Sequence, residues 1–288
     1  MGPTFVMAAV GAVVGFFCRR SVAKLARVKD PEGIRLPWPE ALGALLFGAA
    51  GWRVGFDIAR IPVYWFTAAL LATMVTDFRY KLIPDRVTFS GTGFGVVASA
   101  MWPAWISSTF HHDSLLESMG LGPGPLAGFA LGLGGAAFGF FLFEGSRRVM
   151  GRLANMEVMG MGDSKLTMMM GAFLGPLGVL LALFPAMVSG VVIGVIYTRI
   201  MKSPHFPFGP ALGLGGFLTM LWPEMVGSVL DWAQKFGASM DRGVLMFFNI
   251  ILLAIAVWLM LRVRKRSKEY TDRIEEDYDR LEEYEEDE

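Results

Sequence analysis

The sequence predicts an all-α fold, a polytopic helical membrane protein with about eight to nine transmembrane helices. Three observations point there. Of 288 residues, 54% are hydrophobic, and the mean hydropathy is +0.49, too apolar for an ordinary soluble domain. Glycine contributes 35 residues, and small residues let membrane helices approach closely. The stretch Leu166–Tyr197 carries no charge over 32 residues.

Spanning helices need roughly 20 mostly apolar residues, fewer where flanking side chains snorkel. In chain order the expected spans are 1–18, 38–56, 61–77, 87–106, 124–143, 163–175, 177–198, 207–222 and 243–261. Arg53 and Asp57 interrupt the far end of the second. The third is free of charge from Ile61 to Thr76 and ends at Asp77. The run 166–197 is too long for one span and short for two. Its natural break is "FLGPLG" at 173–178, because proline and glycine punctuate helices.

Charge asymmetry supports this count. With the N-terminus outside, every Lys and Arg except Arg53, Arg60, Lys235 and Arg242 falls on the cytoplasmic side, out of 26. This is the positive-inside pattern. Fusing 166–197 into one span would move Arg199, Lys202 and the basic cluster 262–268 outside. The larger outside loops are then 107–123, with His111 and His112, and 223–242. The chain divides into an N-terminal helix, basic loop and second span (1–56), a membrane core (57–223), an extra span with a basic flank (224–268) and an acidic cytoplasmic tail (269–288). The tail holds 12 acids in 20 residues and reads as a solvated helix or a disordered segment. No basic residue precedes the first apolar run, so the N-terminus is not a standard signal peptide. The single cysteine, Cys18, excludes an intrachain disulfide and a cysteine-built zinc site.

This orientation brings two motifs to one face. "TDFRYKLIPDR" (76–86) lies where the third span leaves the membrane, and "GMGDSK" (160–165) where the sixth enters. An acid at a helix end is ordinarily a solvated interfacial group, a partner for neighbours such as Arg79 or Lys165, or a helix cap. Charges within membrane segments cost about 2.5–3.5 kcal/mol, less at the edge, and mark pairing or function. Gly160 and Gly162 would let a backbone approach Asp163 closely. Two carboxylates brought together can share a proton, so that one activates water while the other polarises a carbonyl. Asp77 and Asp163 are the candidate pair. Pro84, Asp85 and Lys165 are candidate supporting residues, and Asp85 is expected to turn away into the loop after Pro84. This face shows no Ser–His or Cys–His pair; His205 stands alone there. A metal site from Asp77, Asp85 and Asp163 lacks supporting His or Cys spacing, and no metal is expected. Met168–Met170 reads as packing or lipid-facing surface.

At these residues the chain resembles the type IV prepilin peptidases, bacterial GxGD membrane aspartyl proteases. The matching features are Asp77 with "IPD" (83–85), "GMGDSKL" (160–166), "PFGPALGLGGFL" (207–218), and "GAVVGFFCRR" (11–20) followed by "LPWPEALGALLFG" (36–48). The resemblance implies cleavage of pilin-like precursors, a basic leader followed by a hydrophobic helix, at the cytoplasmic face of the bacterial inner membrane. It maps the catalytic aspartates onto Asp77 and Asp163, with no cofactor needed for proteolysis and no nucleic-acid partner. Many members also methylate the new N-terminus with S-adenosylmethionine and carry two Cys-x-x-Cys pairs in the first cytoplasmic loop. Here that loop, Arg19–Pro37, has none, so zinc is not expected and methylation is in doubt. Glu40 fits the family's acidic position after the loop. The ninth span and acidic tail depart from the family pattern. "GPAL" (209–212) also resembles the presenilin and signal-peptide-peptidase group, but there the two aspartates lie on neighbouring spans. A transporter or scaffold would place charges nearer the midplane and show repeated halves.

Overall fold

The computed structural model of the chain describes residues 2–28, 34, 36–103, 116–117, 120–122, 124–154, 160–201 and 207–239. The expected ninth span and acidic tail, His111, His112 and His205 lie outside the described residues. All regular structure among the described residues is helical. The α-helices are α1 (Gly2–Ala26), α2 (Trp38–Val54), α3 (Ile61–Tyr80), α4 (Asp85–Met101), α5 (Pro125–Ala154), α6 (Met161–Met201), α7 (Gly209–Leu221) and α8 (Pro223–Ser239). Among the described residues, four segments are long and apolar enough to cross a membrane: Thr4–Ala26, Ile58–Tyr80, Pro125–Arg152 and Met161–Tyr197. The chain is a polytopic helical membrane protein.

One compact unit comprises Met1–Ser146 and Met159–Val229. Within it α3 touches α1, α2, α4, α6 and α7, and Phe66, Leu70, Leu71 and Val75 along its length are fully buried. Between helices already in lipid, close packing replaces the hydrophobic effect as the main cohesive force. An aromatic cluster joins α3, α4 and α6: Trp65 stacks on Phe94 at 4.8 Å between centroids, and Phe66 meets Phe173 at 4.7 Å. Met169 and Met170 are fully buried, against Gly91 of α4 and Gly216 of α7 respectively, so these two methionines are packing residues, while Met168 is partly exposed. A second unit comprises Arg147–Val158 and Leu230–Glu288; its described parts are the last turns of α5 and of α8.

The break within the long apolar run falls where the sequence predicts it. α6 leaves helical geometry at Gly175 (φ 69°, ψ 177°), directly before Pro176. This backbone conformation is open to glycine and strained for other residues. The chain reverses there, and the short helix α7 is flanked by both arms. Gly216 abuts Met170 of the first arm, while Gly215 abuts Ala182 and Ala186 of the second. Tyr197 near the end of the second arm comes back to Phe78 of α3, 5.8 Å between rings. The first arm, residues 161–174, is only about 20 Å long at 1.5 Å per residue.

Glycine also sets how near α5 lies to α6. A Cβ on Gly171 would collide with the Gly135 carbonyl, and a Cβ on Gly135 with that of Gly171. At the end of the unit away from Asp77, Arg53 of α2 donates from Nε to the Leu221 carbonyl that ends α7 (3.1 Å) and from Nη2 to the Glu224 carboxylate (3.1 and 3.3 Å).

Several boundaries differ from the sequence expectation, among them that of α5, which continues to Ala154 instead of ending at 143. α1 continues to Ala26 instead of ending at 18, because Arg19, Arg20 and Lys24 are good helix formers whose long stems keep their charges at the edge of the apolar surface. Residues 223–239 form α8 instead of a loop; polar and apolar residues alternate there at helical spacing around the buried Val226. Asp85 begins α4 and is not a loop residue, since Pro84 is well suited to the turn just before a helix.

Replacing Gly171 with valine should separate α5 from α6 and destabilise the protein by about 2 kcal/mol or more. A thermal melt of detergent-solubilised protein checks this, and a midpoint equal to that of the wild type would show that the close approach is dispensable.

Candidate active site

Asp77 lies in the last turn of α3, which ends because Lys81 adopts a left-handed conformation (φ 54°) and its N–H closes on the Asp77 carbonyl at 2.8 Å. The hydroxyls just before it satisfy themselves on the helix: Thr76 Oγ1 donates to the Ala72 or Thr73 carbonyl (2.9 and 3.0 Å). The Asp77 side chain is a buried polar group that α3 offers to its neighbours at this end. The residue is only 6% exposed. Its Oδ2 accepts a hydrogen bond of 2.8 Å from the backbone N–H of Gly209, the first residue of α7. First-turn amides have no partner within their own helix and carry the positive end of its dipole, so they suit a carboxylate. Only glycine fits there, since a Cβ at 209 would stand 2.6 Å from Asp77 Oδ2.

Asp163 lies in the first turn of α6 and is 9% exposed. Its backbone N–H reaches the Gly160 carbonyl at 3.3 Å. Thr167 Oγ1 donates among the carbonyls of Asp163 (2.9 Å), Ser164 (3.1 Å) and Gly139 of α5 (3.1 Å), fixing this turn against α5. Asp163 is within electrostatic reach of Asp77. Two buried carboxyl groups, from residues 86 positions apart, thus lie within electrostatic reach of each other at one end of the unit.

Lys165 does not neutralise Asp163. Its ammonium lies 2.6 Å from Asp85 Oδ1, because residues two apart on a helix point to different sides. Asp85 is more than half exposed and heads α4, while Pro84 is buried and caps it, its carbonyl accepting from Val87 (3.1 Å) and Thr88 (3.2 Å). The two flanking glycines differ. A Cβ on Gly162 would press on Ile83 at 3.0 Å, whereas one on Gly160 would make only an ordinary contact among the described residues, with the Gly162 amide nitrogen at 3.9 Å. No group of three or more His, Cys, Asp or Glu suited to a metal occurs among the described residues. Glu40 of α2 pairs with Arg19 of α1 at 2.7 Å.

The profile of the type IV leader peptidase family matches residues 64–195, a stretch that contains Asp77, Asp85, Asp163 and Lys165. Over this stretch, a little under half of the chain, the protein is similar to this family. Among its curated relatives, a prepilin leader peptidase/N-methyltransferase of Legionella pneumophila is 26% identical over 70% of this chain and 63% of its own length. The Pseudomonas aeruginosa protein of the same name is 28% identical over 70% of this chain and 63% of its own. A type 4 prepilin-like proteins leader peptide-processing enzyme of Escherichia coli is 28% identical over 70% and 64%. The chain thus spans under two thirds of the length of these relatives. No solved structure matches it.

Among leader peptidase family features, the sequence points to the region of Gly209 through "PFGP" but gives that glycine no part in the site. A backbone amide leaves no side-chain signature. The available signal is a glycine directly before a proline at a helix start, which combines a free N–H with room beside it.

Gly209→Ala should drive the Asp77 carboxyl off its amide and lower stability by about 1–3 kcal/mol. Unfolding of the purified protein measures this, and wild-type stability would mean that the amide does not hold Asp77.

Proposed function

We propose that the chain is a membrane aspartyl endopeptidase that removes the leader from type IV prepilin-like precursors, with Asp77 and Asp163 as its catalytic pair. The juxtaposition of these two buried carboxyl groups in a chain similar to the leader peptidase family carries this reading. Like charges at this range resist joint ionisation, so the pair holds one proton between them. The unprotonated carboxylate takes a proton from water, whose oxygen adds to the scissile carbonyl carbon. The protonated partner gives its proton to the carbonyl oxygen. Collapse of the resulting gem-diol breaks the C–N bond, and the leaving nitrogen takes up a proton from the pair. The Gly209 amide fixes the orientation of Asp77 throughout. The relatives' names supply the substrate class. The basic residues gathered at this end support a site at the cytoplasmic face of the bacterial inner membrane, with the N-terminus outside and the tail cytoplasmic.

Methyl transfer is the part of the relatives' chemistry for which this chain is least equipped. Its only cysteine is Cys18, on α1, so a zinc-bound loop built on cysteine pairs does not fit these residues. Mass spectrometry of a processed pilin-like product should find an unmethylated N-terminus. An added methyl group that depends on this protein alone would contradict that expectation.

Asp77→Asn and Asp163→Asn should each abolish cleavage of a co-expressed pilin-like precursor while leaving membrane insertion intact, read as an unprocessed, slower-migrating band. Asp85→Asn should reduce processing only in part. Full processing by either of the first two variants would rule out the pair. Cleavage should also survive a chelator, and loss restored by a divalent ion would favour a metal site instead.

A further inference from the structure

Asp77 and Asp163 sit on separate helices and approach each other as like charges, so something must hold them together. Part of the answer lies eight residues beyond Asp77 and two beyond Asp163. Lys165 Nζ is 2.6 Å from Asp85 Oδ1, and the Lys165 side chain is largely buried, 18% exposed. Its ammonium lies 5.7 Å from the centre of the Phe89 ring on α4. One turn earlier on α6, Gly162 fits against Ile83 in the α3–α4 connection. These contacts close a ring. It runs along the backbone from Asp77 to Asp85, across the ion pair to Lys165, back along α6 to Asp163, and across to Asp77. The backbone link is short and stiff, with Lys81 held left-handed by its bond to the Asp77 carbonyl and Pro84 fixed in φ.

We propose that the Lys165–Asp85 ion pair is a strap that positions Asp163 against Asp77, so that both residues serve the reaction without touching the substrate. This rests on the peptidase reading above. With Asp85 more than half exposed, the pair adds little to global stability. Its effect lies in the geometry of the first turn of α6, which carries Asp163. A displacement of about 1 Å at reacting groups can lower turnover up to a hundredfold.

The test uses the full-length protein in lipid vesicles, with Cys18→Ser and spin labels on cysteines introduced at the exposed positions Ser90 and Met161. The variants are Lys165→Met, Lys165→Glu, Asp85→Lys, and the swap that combines the last two. Lys165→Met should broaden the label-to-label distance distribution and lower kcat for a pilin-like precursor about tenfold to a hundredfold, with KM changed less than about threefold. The swap should narrow the distances again and recover kcat to within about tenfold of the wild type, where each of its single changes does not. A wild-type kcat or an unchanged distance distribution in Lys165→Met overturns the strap, as does a swap that restores neither. Absence of cleavage by unlabelled wild-type protein would instead remove the peptidase reading itself, with Asp77→Asn and Asp163→Asn as the matched blanks.

Discussion

Burial of two carboxyl groups at one end of an apolar helix bundle is the constraint on which the rest of this structure turns. A charge in such surroundings is expensive unless something compensates it. One compensating group is a backbone amide: the Gly209 N–H at the start of α7 donates to Asp77 at 2.8 Å. For that amide to be there, the chain must cross away from Asp163, turn at Gly175, return beside Phe78 and start a new helix. The reversal and the short lengths of α6's first arm and of α7 are conditions for the site.

Glycine makes the rest compatible. At 135 and 171 its lack of a side chain lets α5 and α6 touch backbone to backbone, at 162 it admits Ile83, and at 209 it admits Asp77 itself. In lipid, where apolar side chains gain little by meeting one another, such close contacts and a few well-placed polar bonds supply specificity. The Arg53 bonds to Leu221 and Glu224 do this at the other end of the unit. Thr167, reaching from α6 to the Gly139 carbonyl, does it beside Asp163.

Much of this is legible in the sequence, and the parts that are not share a cause. The all-helical membrane class, the position of Asp77 at the end of α3, that of Asp163 at the start of α6 and the break before Pro176 follow from hydropathy, charge placement and helix-breaking residues. Those signals reside in side chains. The Gly209 amide does not, and neither does the rotation about a helix axis that turns Lys165 toward Asp85 and away from Asp163. The helical state of 223–239 is hidden because an amphipathic surface helix has the polar content of a loop. Asp85 reads as a loop residue in the sequence because Pro84 marks a boundary without saying which side of it is helical.

If Asp77 and Asp163 act as one unit, each is of use only beside the other. Residual cleavage rates of purified Asp77→Asn, Asp163→Asn and the double variant, measured on one precursor in lipid vesicles, test this most directly. A unit that is already broken by one change loses nothing more from the second, so the three rates should agree within about threefold. Losses that multiply in the double variant would mean two independent contributions and would contradict a shared catalytic pair.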